Sequence, residues 1–132
     1  MSRQQAYEMI DNAEQGSIFW RIKISPDAKT EDRHRDLSMQ EVTERTMNTL
    51  QEKLGKQVSW VAAIHADHAP HRHIHVLAKL PKLSRGEFQR LPDILINGAT
   101  QSCLEQRLEH DLVREHRQQE KERKEREWER EL

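Results

Sequence analysis

Five of the chain's eight histidines fall between His65 and His75, together with one carboxylate, Asp67. Imidazole is the commonest metal ligand among side chains, and several on one face of a strand make a metal site the leading reading. Pro70 divides the segment into two arms. The second arm, residues 71–80, alternates. In an extended strand successive side chains point to opposite faces. His71, His73 and His75 then share one face, and Ile74, Val76, Ala78 and Leu80 share the other. The first arm ends a preceding strand, residues 57–65. There Val58, Trp60, Ala62 and Ile64 share one face, and Ser59, Val61, Ala63 and His65 the other.

The connection over residues 66–70 is short enough to return the chain as an antiparallel partner. Such pairing sets His65 beside the histidine face of the next strand. Three imidazoles can fill three positions around a divalent cation and leave the rest open for substrate. Imidazole suits several first-row ions, and affinity order alone does not single one out, so the divalent ion, Mg, Mn or Zn, is left undetermined. Asp67, two residues after His65, suits a supporting role, accepting an imidazole N–H and fixing its tautomer. The tract is internal and merges with two strands, unlike a terminal tag. The plainer alternative is a histidine-rich segment that binds metal without further chemistry.

The elements that must position these residues are readable in outline. Residues 3–14 read as a short helix ending before Gly16. Residues 17–25 alternate, with Ile18, Trp20, Ile22 and Ile24 on one face and Arg21 and Lys23 on the other. Ser25-Pro26-Asp27 turns the chain, and residues 27–36 lack periodicity and read as a loop. Ser38-Met39-Gln40-Glu41 is a capping box, opening a helix to Leu54 that Gly55 closes. Its apolar stripe is Met39, Val42, Thr46, Leu50 and Leu54. After Pro81, Ser84 caps a short helical turn. From Pro92 the chain reads as helix again, with room for a break at Asn97-Gly98. From Arg114 onward it is almost entirely charged or amide-bearing, which predicts a solvated single helix. The fold class is α/β in the α+β sense: an antiparallel sheet of at least three strands with helices packed on it. Residues 1–91 form the metal-binding domain, and residues 92–132 a charged helical extension.

Bulk properties narrow the classes. At 132 residues one domain is expected. A single cysteine, Cys103, excludes an internal disulfide framework and fits a reducing compartment. No apolar run approaches the roughly 20 residues of a membrane span. The polar N-terminal residues carry no secretory signal, so a cytoplasmic place is expected. Lys and Arg total 22 against 23 Asp and Glu. That balance argues against indiscriminate nucleic-acid binding and leaves room for a local basic face.

A histidine closing a strand, x-Asp, a short proline-containing loop and a His-x-His strand resemble the three-histidine motif of the conjugative relaxases. These are mobilisation nucleases of the HUH endonuclease superfamily. The apolar runs before His65 (Trp-Val-Ala-Ala-Ile) and after His75 (Val-Leu-Ala) are similar too. So is the order of strand, Ser-Pro turn, capped helix, glycine and strand, over roughly residues 3–80. The resemblance implies nicking and rejoining of single-stranded DNA. The histidines would hold a divalent cation that polarises a scissile phosphate, and a tyrosine hydroxyl would form a 5′-phosphotyrosyl link. The family spacing favours His65 with His73 and His75. A proline directly before the pair, as in many members, favours His71 and His73. Tyr7, the chain's one tyrosine, falls where the family's nucleophile stands in chain order. A helix tyrosine packed on the sheet is the plainer alternative.

Arg21, Lys23, Arg72 and Lys79 are the candidate DNA contacts, with Arg33, Arg35, Lys82, Arg85 and Arg90 further afield. Arg72 alternates away from the histidines. The expected partners are single-stranded DNA and a second copy or other mobilisation proteins, with no membrane. Family members usually carry a strand before the tyrosine helix and are much longer. A non-catalytic DNA-binding relative is therefore the second hypothesis, and a metal-sequestering protein the third.

Overall fold

The computed structural model describes residues 3–12, 17–65 and 72–131. In chain order these form α1 (Arg3–Asp11), β1 (Ile18–Ile24), α2 (Met39–Leu54), β2 (Ser59–His65), β3 (His73–Leu80) and α3 (Arg85–Glu131). The architecture is α+β: a three-stranded antiparallel sheet of order β1-β3-β2, with helices against it. The alternation of the sequence sets the two faces. Ile24, Ile74, Val76, Ala78 and Leu80 are buried and form one core with Val42, Met47, Leu50 and Leu91 from the helices. Trp20, Ile22, Trp60 and Ala62 pack at its margin. The opposite face carries Arg21, Lys23, Val61, Ala63, His65, His73, His75 and Leu77. Among the described residues, no helix is long and apolar enough to cross a membrane.

Local rules explain the ends of α2. Ser38 Oγ accepts from the Glu41 backbone N–H at 3.2 Å, as an N-cap should. The reciprocal half of the expected capping box is replaced by a long-range bond. The Ser38 N–H donates to Gln106 Oε1 at 2.7 Å, and Gln106 Nε2 returns a bond to the Ser38 carbonyl at 3.2 Å. Gln106 lies on α3, so the cap also fastens the two helices together. Gly55 closes α2 at φ 63°, and its N–H bonds the Gln51 carbonyl at 2.9 Å. A side-chain-bearing residue would be strained in that left-handed conformation.

One expectation is corrected. Ser84 does begin a helix, and here the capping box is complete. Glu87 N–H donates to Ser84 Oγ at 3.2 Å, and Ser84 N–H donates to Glu87 Oε1 at 2.9 Å. This helix is not a short turn. It continues for 47 residues through Pro92 and through Asn97-Gly98. The boundary drawn at residue 91 therefore falls inside α3. Burial of Leu91, Ile94, Gly98, Ser102, Cys103, Gln106 and Arg107 against the body outweighs the local tendency to break. Beyond Arg114 the helix runs on almost wholly exposed.

Residues 27–36 are a loop, as their lack of periodicity implied, but a loop held by its own hydrogen bonds. Asp27 Oδ1 accepts from the backbone N–H groups of Lys29 and Thr30 at 2.8 and 3.1 Å, an Asx turn. Asp32 N–H bonds the Asp27 carbonyl and Arg35 N–H bonds the Asp32 carbonyl, both at 2.9 Å. Arg35 adopts φ 52°. The segment is an ordered hub, and its acidic residues reach both β3 and α3.

Candidate metal centre and basic cleft

Register places the first histidine against the second. His65 pairs with His73 across β2 and β3, and Ala63 pairs with His75. Directly opposed and diagonal neighbours in a sheet lie close enough for ring side chains to touch. The three rings form a near-equilateral triangle. Ring centroids are 5.1 Å apart for His65 and His73, 4.8 Å for His65 and His75, and 4.9 Å for His73 and His75. The first two rings are parallel to within 5°, and His75 stands at 88° and 87° to them.

That spacing can be compared with a metal's demands. An imidazole nitrogen about 2.0–2.1 Å from zinc puts the ring centroid about 3.2 Å from the ion. Centroids near 4.9 Å apart then subtend about 100° at the ion, close to tetrahedral. The donor type and ring spacing thus fit a divalent cation. The nitrogens themselves are not closed on one point. Among the described residues, no group of three or more His, Cys, Asp or Glu side chains is arranged to hold a metal ion. Closing the triangle would take side-chain rotation, and χ2 of histidine is a broad torsion. His71 and Asp67, the substitute ligand and the supporting carboxylate, lie outside the described residues, as does His68.

Next to the triangle runs a cleft of about 480 Å³, lined by Arg3 and Ala6 of α1, Arg21 and Lys23 of β1, and Val61, Ala63, His75 and Leu77 beneath. Lys23 is the cross-strand partner of His75, and Arg21 that of Leu77. Two of the four leading DNA-contact candidates therefore stand beside the histidines, and Arg3 joins them from above. Lys79 pairs with Phe19 and Ser59 at the other end of the sheet. It lines a separate groove with Gln5, Glu8 and Met9.

Arg72 is used differently. Its guanidinium donates to both carboxylate oxygens of Asp32, at 2.8 and 2.6 Å, and to the Leu37 carbonyl at 2.9 Å. Asp32 is 4% exposed. Its burial opposes ionisation, but the bonds from Arg72 and from the Leu37 N–H outweigh it and hold the carboxyl below the ordinary value. Arg72 is thus a tie between the start of β3 and the 27–37 hub rather than a free cation facing the cleft. The same hub grips α3. Asp36 accepts from Arg107 at 2.9 Å and from Arg114 at 2.8 Å, and its carboxyl is driven far below the usual range, first by the Arg107 bond. Arg33 pairs with Asp111 at 2.9 Å. None of these partners shares an element with the other, so sequence reading missed them. The Asx-forming Asp27 was the single local signal.

Tyr7 is 57% exposed on α1. Among the described residues it makes no ring contact or hydrogen bond with the histidines, and α1 buries no side chain. Cys103 is buried between α3 and the body, and burial raises its thiol to about 12, which leaves it inert.

Comparison with protein-family models, with curated proteins and with solved structures found no match to this chain.

Proposed function

We propose that the chain is a relaxase-like, metal-dependent endonuclease that nicks and rejoins single-stranded DNA of plasmids or other mobile elements in the cytoplasm. One observation carries the reading. His65, His73 and His75 come together in a triangle of ring centroids 4.8–5.1 Å apart beside the cations of β1. His65, His73 and His75 would hold the cation, with His71 the substitute. Mg, Mn or Zn bound there would supply a Lewis acid toward a phosphate oxygen. Arg3, Arg21 and Lys23 would neutralise neighbouring phosphates, and the cleft floor of Val61, Ala63 and Leu77 suits a base or sugar. The open cleft of about 480 Å³ has room for a nucleotide of a single strand.

The chemical step assigned to Tyr7 is transesterification. Its Oη, losing its proton, bonds to phosphorus, and the phosphorus–O3′ bond breaks. The 3′ oxygen leaves and takes up a proton, while the 5′ phosphate stays on the tyrosine. Attack by a 3′-OH reverses the step and rejoins the strand. No oxidant or nucleotide cofactor is needed.

A second reading has its own support: Tyr7 is exposed, and among the described residues no ring contact or hydrogen bond joins it to a histidine. On that reading the chain is a non-catalytic relative that binds metal and single-stranded DNA, alone, as a homodimer or with other mobilisation proteins. Both readings are tested together. The protein is incubated with labelled single-stranded oligonucleotides and Mn²⁺, with EDTA as control. A denaturant-resistant adduct that vanishes in Tyr7→Phe supports the nuclease. Retention of the oligonucleotide without adduct supports the second reading. Unchanged Mn²⁺ and Co²⁺ affinity in His65→Ala/His73→Ala would refute both.

A further inference from the structure

We propose that Arg72 and Asp32 form a positioning clamp for the metal centre, a role that rests on the metal reading of the histidine triangle. Arg72 immediately precedes β3, whose first residue is His73. Alternation sends the two side chains to opposite faces of the sheet. His73 points toward His65 and His75. Arg72 points down to the helical layer, where three hydrogen bonds of 2.6–2.9 Å fasten it to Asp32 and to the Leu37 carbonyl.

The anchor itself is rigid. Asp32 also accepts from the Leu37 N–H at 3.3 Å, and its own N–H bonds the Asp27 carbonyl at 2.9 Å. Only 15% of the Arg72 side chain and 4% of that of Asp32 are exposed, so the pair is largely shielded from water. A planar guanidinium meeting two carboxylate oxygens fixes direction as well as distance. A point charge does not. The clamp therefore sets the height and tilt at which β3 begins, and with them the place of the first imidazole of the His-x-His pair. Outer residues that orient ligands commonly change metal affinity about 10- to 100-fold when lost. The second acidic anchor of the hub, Asp36, serves as an internal comparison. It holds Arg107 and Arg114, both on α3.

The test is a Co²⁺ titration followed by the visible d–d absorption, with thermal melting of the metal-free proteins alongside. Arg72→Lys keeps the charge and loses the two-oxygen geometry, and Arg72→Gln loses both. The expected result is Co²⁺ binding weakened about tenfold in Arg72→Lys, and more in Arg72→Gln. Asp36→Asn should melt earlier with unchanged Co²⁺ affinity. If Arg72→Gln fails to fold, Arg72→Lys decides alone. Wild-type Co²⁺ affinity in Arg72→Lys would overturn the clamp. Weakening in Asp36→Asn equal to that in Arg72→Lys would overturn it as well, since the effect would then follow stability. Absence of Co²⁺ binding by the wild-type chain, or unchanged binding in His73→Ala, would instead bring down the metal reading and the clamp with it.

Discussion

Replacing Gly98 by alanine sets two effects of similar size against each other. In a helix interior, alanine is favoured over glycine by about 1 kcal/mol, because glycine loses more backbone freedom on folding. Gly98, however, is where α3 comes close against α2. A Cβ there would lie 3.2 Å from Thr49 Cβ, 3.3 Å from Thr46 Cα and 3.4 Å from Thr49 Oγ1. Carbon atoms prefer about 3.5–4.0 Å. Thr46 Cα is backbone and cannot swing aside, and the Thr46 hydroxyl is tied to the Val42 carbonyl at 2.7 Å. The helices would have to part along a seam that buries Met47, Leu50 and Leu91. Overpacking of this kind costs about 1–3 kcal/mol. The steric cost should win, leaving Gly98→Ala less stable by about 1 kcal/mol. Gly86, near the start of the same helix, is open: a methyl group added to its Cα would meet no atom within 4 Å. Gly86→Ala should therefore gain stability, by a few tenths to about 1 kcal/mol. Urea denaturation followed by circular dichroism gives both midpoints, with unchanged slope as the check on two-state behaviour. A gain in Gly98→Ala matching that in Gly86→Ala would refute the close-approach argument.

Two further outcomes follow from the charges and from the length of α3. Asp32 and Asp36 both have depressed carboxyl pKa values in the folded chain. A depressed carboxyl contributes stability that is present above its unfolded value, near about pH 4, and lost as pH falls through the folded value. Urea midpoints should therefore fall from about pH 4 downward, and Asp36→Asn should flatten that fall while lowering stability at neutral pH; an unaltered acid slope in Asp36→Asn would contradict the assignment. Truncation after His116 removes exposed helix whose ion pairs, Arg123 with Glu120 and Glu127, are internal to the removed part. It should leave the melting temperature nearly unchanged. Truncation after Leu91 removes Ile94, Cys103, Gln106 and Arg107 from the buried seam and should abolish cooperative melting.

What could be read from the sequence divides by the range of the interaction. The strands, their faces and the meeting of His65 with His73 follow from period-two alternation and one short connection, and both are local properties. The N-cap Ser38 and the terminal Gly55 are likewise local, and both hold. Local reasoning failed where a distant partner decides. Pro92 looks like a helix start and Asn97-Gly98 like a break, but one helix runs through both, and the glycine is there for the approach of Thr46 and Thr49 on α2. Arg72, which alternation already turns away from the histidines, is held by Asp32, forty residues before it. The Ser38 cap donates to Gln106 rather than completing its own box, a bond across 68 residues.

The same division bears on the chemistry. The histidine triangle is carried on two paired strands, and β3 is buried beneath it at Ile74 and Val76, so the backbone that sets the ring spacing is held from below. The proposed nucleophile, Tyr7, sits on α1, which buries none of its side chains and meets the sheet at β2. Metal binding and strand cleavage, as proposed, would thus rest on parts packed to unequal degrees. A bound single strand would fill the cleft between α1 and β1 and contact Arg3 together with Arg21 and Lys23, coupling the helix that bears Tyr7 to the sheet that bears the histidines. Substrate would then do for α1 what the buried core already does for β3. Arg3→Ala tests this directly, because Arg3 is the α1 cation on the cleft. It should lower single-strand affinity modestly and adduct formation far more, with Co²⁺ affinity untouched. Equal losses in binding and adduct would mean that Arg3 contributes charge alone and does not help to bring Tyr7 into place.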